Sequence, residues 1–277
     1  MEKPEYFSSE KISEHIFRIK DLCGVYSYLI VGNKKAFLLD CGYGFGNIRE
    51  YVESLSDLPK TLILTHGHLD HIGASGYFDQ VYMNLDDLAV YRNHSDISYR
   101  MNHCKRFAFL GELNKEMFAP IKDEKDLIDL KGIDMMDADG VSLKFICVPG
   151  HTPGMTCVLI PEDRTILFGD ACGVFVLLFD EYSSTVEEYR NSIVHLKQYE
   201  KDYDFIIRNH GTGESPKVLL DNVIECCDDV LNKEDDAIPF SFAGVDLLVA
   251  RKFDPETRNR VDGKEGNLAY RKAYIHK

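Results

Sequence analysis

Thr65-His66-Gly67-His68-Leu69-Asp70-His71 follows directly on the apolar run Thr61-Leu62-Ile63-Leu64. The run reads as a buried strand. Alternate side chains of an extended segment share a face, which would send His66, His68 and Asp70 to one side. His71 would then open a helix over residues 72–78. Three imidazoles and a carboxylate so close together, on one strand-to-helix turn, make a metal cluster, because imidazole nitrogen and carboxylate oxygen are ordinary zinc donors. The plain alternative is a surface loop that happens to be rich in histidine. The chain has only ten histidines in 277 residues. Three at this spacing beside an aspartate favour the metal, provided that the surrounding chain agrees.

Composition sets outer bounds. Apolar residues make up 44% and charged residues 28%, ordinary for a globular chain with a sizeable core. The net charge of −14 disfavours a nucleic-acid partner, which needs basic surface. The basic residues Arg251, Lys252, Arg258 and Arg260 read as solvated positions of a polar C-terminal hairpin. Met1-Glu2-Lys3-Pro4-Glu5 lacks the apolar core of an export signal, and no run of about eighteen apolar residues suggests a membrane span. The eight cysteines form no C-x-x-C pair and read as reduced, buried thiols. A cytoplasmic location is expected.

Taken in order, residues 15–19, 25–31 and 36–39 read as strands of an antiparallel meander. Gly42-Tyr43-Gly44-Phe45-Gly46 lacks the Gly-Lys-Ser/Thr ending of a phosphate loop and reads as a turn into a helix over 47–58. Asp40, an acid closing an apolar strand, is either exposed or a buried partner orienting a metal-bound histidine. A short strand at 81–83 and a helix over about 85–101 follow. Residues 101–139 read as a mainly helical insertion carrying His103, with His94 just before it; both are expected to be exposed or to face substrate rather than metal. The second half offers strands at 141–148, 155–160 and 165–168, and an apolar loop at 174–179 that suits either an acyl substrate or the core. Helices at 186–199 and 216–231, a strand at 205–208 and final strands at 245–250 and 269–275 complete it. One domain, 1–277, with halves of about 1–135 and 136–277, is the expectation.

His151, in Pro149-Gly150-His151-Thr152-Pro153-Gly154, Asp170 after Phe168-Gly169, and His210 after Asn209 each lie just past an apolar strand. With the central motif they give five imidazoles and two carboxylates, a set that suits two zinc-like ions. In this order and spacing the chain resembles the metallo-β-lactamase superfamily, in the hydrolase branch of glyoxalase II and the N-acyl homoserine lactonases. The H-x-H-x-D-H signature stands at His66 to His71, and Asp40 matches the acid closing an early strand of that family.

The resemblance implies an α/β fold of the α+β kind, a four-layer αββα sandwich. It implies that His66, His68 and His151 hold one divalent ion, that Asp70, His71 and His210 hold a second, and that Asp170 bridges them. The ions would be zinc, with iron or manganese admitted, and a bridging hydroxide would attack an ester, thioester or lactone of a small molecule. Asp70 would orient that hydroxide and take up a proton. The expected partner is a small-molecule substrate, and a homodimer is admitted. Zinc β-lactamases place Cys or Ser where this chain has Asp170, and lactonases carry a Tyr where it has Gly173. Basic residues for glutathione do not follow Asp170, where the chain reads Ala171-Cys172-Gly173. A flavodiiron protein would need Glu at His68. Two alternatives are a phosphodiesterase with the same ligands and a persulfide dioxygenase with one iron on His66, His151 and Asp170.

Overall fold

The computed structural model describes residues 5–277; the leader expectation, which rests on the first five residues, lies almost wholly outside them. The chain forms two compact units, one up to Lys144 with Asn209–Gly211, the other Phe145–Arg208 with Thr212–Lys277.

The first unit is built on a seven-stranded sheet in sequence order. Its strands are β1 (Phe7–Lys11), β2 (Ile16–Asp21), β3 (Tyr26–Val31), β4 (Ala36–Leu39), β5 (Lys60–Ile63), β6 (Val81–Met83) and β7 (Ile128–Asp129). The meander β1 to β4 is antiparallel, and β4 to β7 run parallel. All four residues of β4 and of β5 are buried, as expected of central strands covered on both faces. Asn47 caps α1 (Ile48–Leu55) by accepting the Glu50 N–H at 3.2 Å. That helix stops short of the expected residue 58, ahead of Pro59, which cannot continue it.

Three expectations fail here. The central motif holds not a helix from His71 onward but the single turn α2 (Leu69–Ile72), followed by a 3-10 turn at Ser75–Tyr77. Gly73 is the reason: a Cβ there would collide with the backbone of Gly42 and Tyr43, and its N–H donates to the Gly42 carbonyl at 2.8 Å. Asp70 therefore sits in a helical turn, not on the extended face assumed for it. The helix expected over 85–101 breaks at Asp96, whose side chain caps a new one, giving α3 (Leu88–Ser95) and α4 (Ile97–Cys104). The stretch 105–139 is not mainly helical. It holds short 3-10 turns, β7 and β8 (Met135–Asp137); the first of these turns ends at Gly111, and Gly132 lies in the connection from β7 to β8, both with positive φ. Buried Arg100 fastens it, donating to the carbonyls of Ala119 (3.2 Å), Tyr43 (3.2 Å) and Gly73 (2.7 Å).

Strands β9 (Ser142–Cys147), β10 (Thr156–Ile160), β11 (Thr165–Leu167), β12 (Val176–Leu178), β13 (Phe205–Ile207), β14 (Glu214–Ser215), β15 (Ile238–Phe242), β16 (Val245–Val249) and β17 (Leu268–Tyr270) complete the set. They fall into a sheet ordered β14-β13-β11-β10-β9-β8 and another ordered β12-β17-β16-β15. Helices α5 (Val186–Lys197), with a Thr185/Glu188 capping box, and α6 (Leu219–Asn232) pack Tyr189, Ile193, Val223 and Cys227 onto Cys157, Ile166 and Phe168.

The 174–179 stretch belongs to the core. Phe175, Leu177 and Phe179 pack with Phe240, Phe242, Leu247 and Val249. Arg260 is likewise no solvated hairpin residue. Its buried guanidinium pairs with Asp262 and reaches the Gly266 carbonyl, and Arg251 pairs with Asp229. Among the described residues the eight cysteines form no disulfide, though Cys147 is exposed and Cys23 partly so. Among the described residues no helix is long and apolar enough to cross a membrane.

Candidate metal centre

The site begins with Asp40, at the end of β4. It is fully buried and takes a left-handed backbone, φ 60, which an aspartate adopts at some cost and which often marks a functional position. That turn aims its carboxylate back under the motif. Oδ1 accepts the Thr65 N–H at 2.8 Å. Oδ2 accepts the Thr65 hydroxyl at 2.8 Å, meets His71 Nδ1 at 2.9 Å and accepts Asn209 Nδ2 at 3.0 Å. A carboxylate facing His71 Nδ1 keeps the proton on that nitrogen, so the Nε2 lone pair points away from Asp40.

The same network governs His66. Its Nδ1 lies 3.0 Å from the Thr65 hydroxyl oxygen. That hydroxyl gives its proton to Asp40, so the imidazole N–H must donate to it. His66 therefore also presents Nε2, which meets His68 Nδ1 at 3.1 Å. Two buried imidazoles thus have Nδ1 committed behind them and Nε2 offered in front, the arrangement typical of metal-binding histidines.

Asp70 and His210 close this side. Asp70 Oδ1 lies 3.9 Å from His71 Nε2, and Oδ2 lies 3.6 Å from His210 Nε2. One ligand atom from each of Asp70, His71 and His210 lies within 4.8 Å of the other two, a spacing that one ion would tighten into a coordination shell. His210 arrives from a distant part of the chain because Asn209 bonds twice to β3. Tyr26 N–H donates to the Asn209 carbonyl at 2.8 Å, and Asn209 Nδ2 donates to the Tyr26 carbonyl at 2.7 Å. In the second unit, His151 Nδ1 lies 2.7 Å from the Leu177 carbonyl and is thereby the protonated nitrogen. Its Nε2 lies 3.6 Å from Asp170 Oδ2. The donor chemistry fits divalent metal: imidazoles oriented through Nδ1, and carboxylates.

A second layer holds the motif in place. Asp87, fully buried, accepts the Gly67 N–H at 2.8 Å. His94 is buried rather than exposed. Its Nδ1 accepts the Leu69 N–H at 3.1 Å, and its ring lies 4.6 Å from that of His68. His103 is half-buried beside Tyr43 and Tyr99, and burial pushes its pKa down to about 4. Cys172 is fully buried, and burial raises its pKa, so it is a structural thiol. Thr65, Asn209, Asp87 and Arg100 carried no individual signal in the sequence. Only their neighbours in the chain pointed to the site.

The description "Metallo-beta-lactamase superfamily" belongs to the family model that matches residues 21–203. A probable polyketide biosynthesis zinc-dependent hydrolase of Bacillus velezensis is 22% identical over 205 residues, 72% of this chain and 79% of the relative. A hydroxyacylglutathione hydrolase of Haemophilus influenzae is 25% identical over 193 residues, 65% of this chain and 81% of the relative. The solved structure of the metallo-beta-lactamase IND-7 superposes with a TM-score of 0.57 at 16% identity, covering 82% of this chain and 100% of that one.

Proposed function

The chain belongs to the metallo-β-lactamase superfamily and has its fold, and from that premise we propose that it is a hydrolase with two divalent ions, zinc foremost, that cleaves a thioester, ester or lactone of a small molecule. His66, His68 and His151 hold one ion in this reading, Asp70, His71 and His210 the other, and Asp170 is shared. The observation that carries it is the trio Asp70, His71 and His210, gathered within 4.8 Å and backed by Asp40. The two relatives, both named as hydrolases, support the reaction class, and a hydroxyacylglutathione is a thioester.

When bound, such ions polarise a carbonyl and ionise water near neutral pH. The chain's residues supply the rest. Asp40 keeps the His71 proton on Nδ1, and Thr65 does the same for His66, so each offers a lone pair without rearrangement. Asp70, with one oxygen toward each of His71 and His210, orients the attacking water and takes its proton. Buried Leu69 and Ile72 anchor the turn in the apolar clusters of the first unit.

The test is a screen of purified, zinc-loaded protein against acyl thioesters, lactones, carboxylic esters and phosphodiesters, beside Asp70→Ala. One acyl class hydrolysed by the parent, with kcat down at least about a hundredfold in the variant, is the expected result. A zinc content near two per chain should fall in the variant. Turnover of phosphodiesters alone, or no hydrolysis by protein with its metal in place, would overturn the proposal.

A further inference from the structure

Arg106, just past the end of α4, is exposed, and no carboxylate pairs with it among the described residues. Most arginines of this acidic chain are ion-paired: Arg18 with Glu10, Arg49 with Glu53, Arg92 with Glu124, Arg164 with Asp204. Arg106 is nevertheless held firmly. Its Nη2 donates to the hydroxyl of buried Tyr43, and its guanidinium lies over the rings of Phe107 (4.8 Å) and Tyr43 (5.7 Å). Among the described residues Nε and Nη1 have no hydrogen-bond acceptor. Exposed arginines ordinarily lose side-chain entropy when they grip a ligand. Here much of that ordering is already done, and the weakly hydrated, planar head suits a carboxylate.

The place matters as much as the residue. Aromatic rings run without a break from Arg106 to the histidine motif: Tyr43 to His103 (6.1 Å between centroids), His103 to Tyr99 (6.4 Å), Tyr99 to His94 (4.7 Å), His94 to His68 (4.6 Å). His103 feels the charges of Arg106, Asp70 and His68 together. Of these rings Tyr99 is exposed and His103 half-buried, while Tyr43 and His94 back them from within, so a bound molecule would cross Tyr99 and His103 with its scissile carbonyl toward the motif and its far end toward Arg106.

We propose that Arg106, braced by Tyr43 and Phe107, recognises a carboxylate on the acyl portion of the substrate, so that this chain prefers dicarboxylic acyl compounds to neutral ones. The inference rests on the hydrolase reading for its substrate but not for its binding. A merely structural Arg106, pinning the 105–118 stretch, is the competing account, and it makes no prediction about ligand charge.

Two measurements on the zinc-loaded protein separate these. In hydrolysis, a glutaryl thioester is compared with its monomethyl ester. The parent should favour the acid in kcat/KM by about tenfold, the scale of a charge-assisted hydrogen bond partly screened by solvent. Arg106→Gln should bring that ratio near one through KM, and Arg106→Lys should restore part of it. The control Lys105→Gln, at an exposed lysine that bonds Asn102 within its own helix end, should keep the parent ratio. In binding, calorimetry with glutarate against monomethyl glutarate should show the same preference, lost in Arg106→Gln. A parent with no preference in binding, or an Arg106→Gln protein that keeps it, overturns the inference. Silence in hydrolysis with the binding preference intact instead overturns the hydrolase reading and leaves Arg106 in its role.

Discussion

Replacing Asp40 by asparagine changes almost no volume and removes one charge, so its effect can be worked out from the donors around it. Four hydrogen bonds converge there: the Thr65 N–H on Oδ1, and the Thr65 hydroxyl, His71 Nδ1 and Asn209 Nδ2 on Oδ2. An amide has one accepting atom and one donating group. If the NH2 takes the Oδ1 position, it confronts the Thr65 N–H, which cannot turn away. If it takes the Oδ2 position, it confronts three donors, and His71 must give up its Nδ1 proton to relieve the clash. The first orientation is the milder. It strands one buried N–H, at about 1–3 kcal/mol, and turns the remaining charge-assisted bonds into neutral ones at about 1 kcal/mol.

The expected destabilisation of Asp40→Asn is therefore about 3 kcal/mol. At roughly 2–4 °C per kcal/mol for a chain of this size, Tm should fall by about 6–12 °C. Calorimetry on chelator-treated protein reads this without any contribution from metal. Zinc titration of the same samples should show a 10- to 100-fold loss at the weaker site, because His71 Nδ1 then donates to a neutral amide oxygen and Nε2 loses the basicity that a carboxylate behind it supplies. A variant that melts within 1 °C of the parent and binds zinc equally well would refute the account of Asp40 as the organiser of the site.

Other consequences are simpler to state. Arg100→Met leaves three carbonyls without their donor and should cost about 3 kcal/mol, and proteolysis should then begin in residues 105–120. His103 has its folded pKa lowered to about 4 by burial, so the unfolded chain, near 6.5, binds its proton first. Its contribution to stability is whole above pH 6.5 and is lost as the pH falls towards 4. His103→Gln should therefore lose less stability than the parent between pH 6.5 and 4, by at most about 3 kcal/mol, as the difference between the two melting curves measures. Equal acid sensitivity in both would remove His103 from the list of buried neutral groups.

The strands that carry the site were legible because their residues are apolar and their ends are marked by Asp40, Thr65, His151 and Asp170. Strand β4 begins and ends at the residues read from the sequence, since both faces are covered and no polar residue interrupts it. The helical reading of 72–78 failed because periodicity says nothing of Gly73 pressed against the Gly42–Tyr43 backbone. The 105–139 stretch misled because its apolar residues serve a local cluster around Tyr43, Phe45 and Phe118 rather than one helix face. The histidines could be read one by one. Their tautomers could not, since these depend on Thr65 and on the Leu177 carbonyl, ordinary groups made special by position.

Asn209–Gly211 is a three-residue graft of late chain into the earlier unit, and this bears on how the protein is made. Asp70 and His71 leave the ribosome about half a chain length before His210. At roughly 5–20 residues per second that interval lasts about 7–28 s, while strands β1 to β6 can already pair. During it the nascent chain can offer His66, His68, Asp70 and His71 to a passing ion, but not the trio. Only when Asn209 bonds to Tyr26 does His210 arrive. Closure of this group is thus a late event in synthesis, and a ribosome stalled before residue 209 would leave it open.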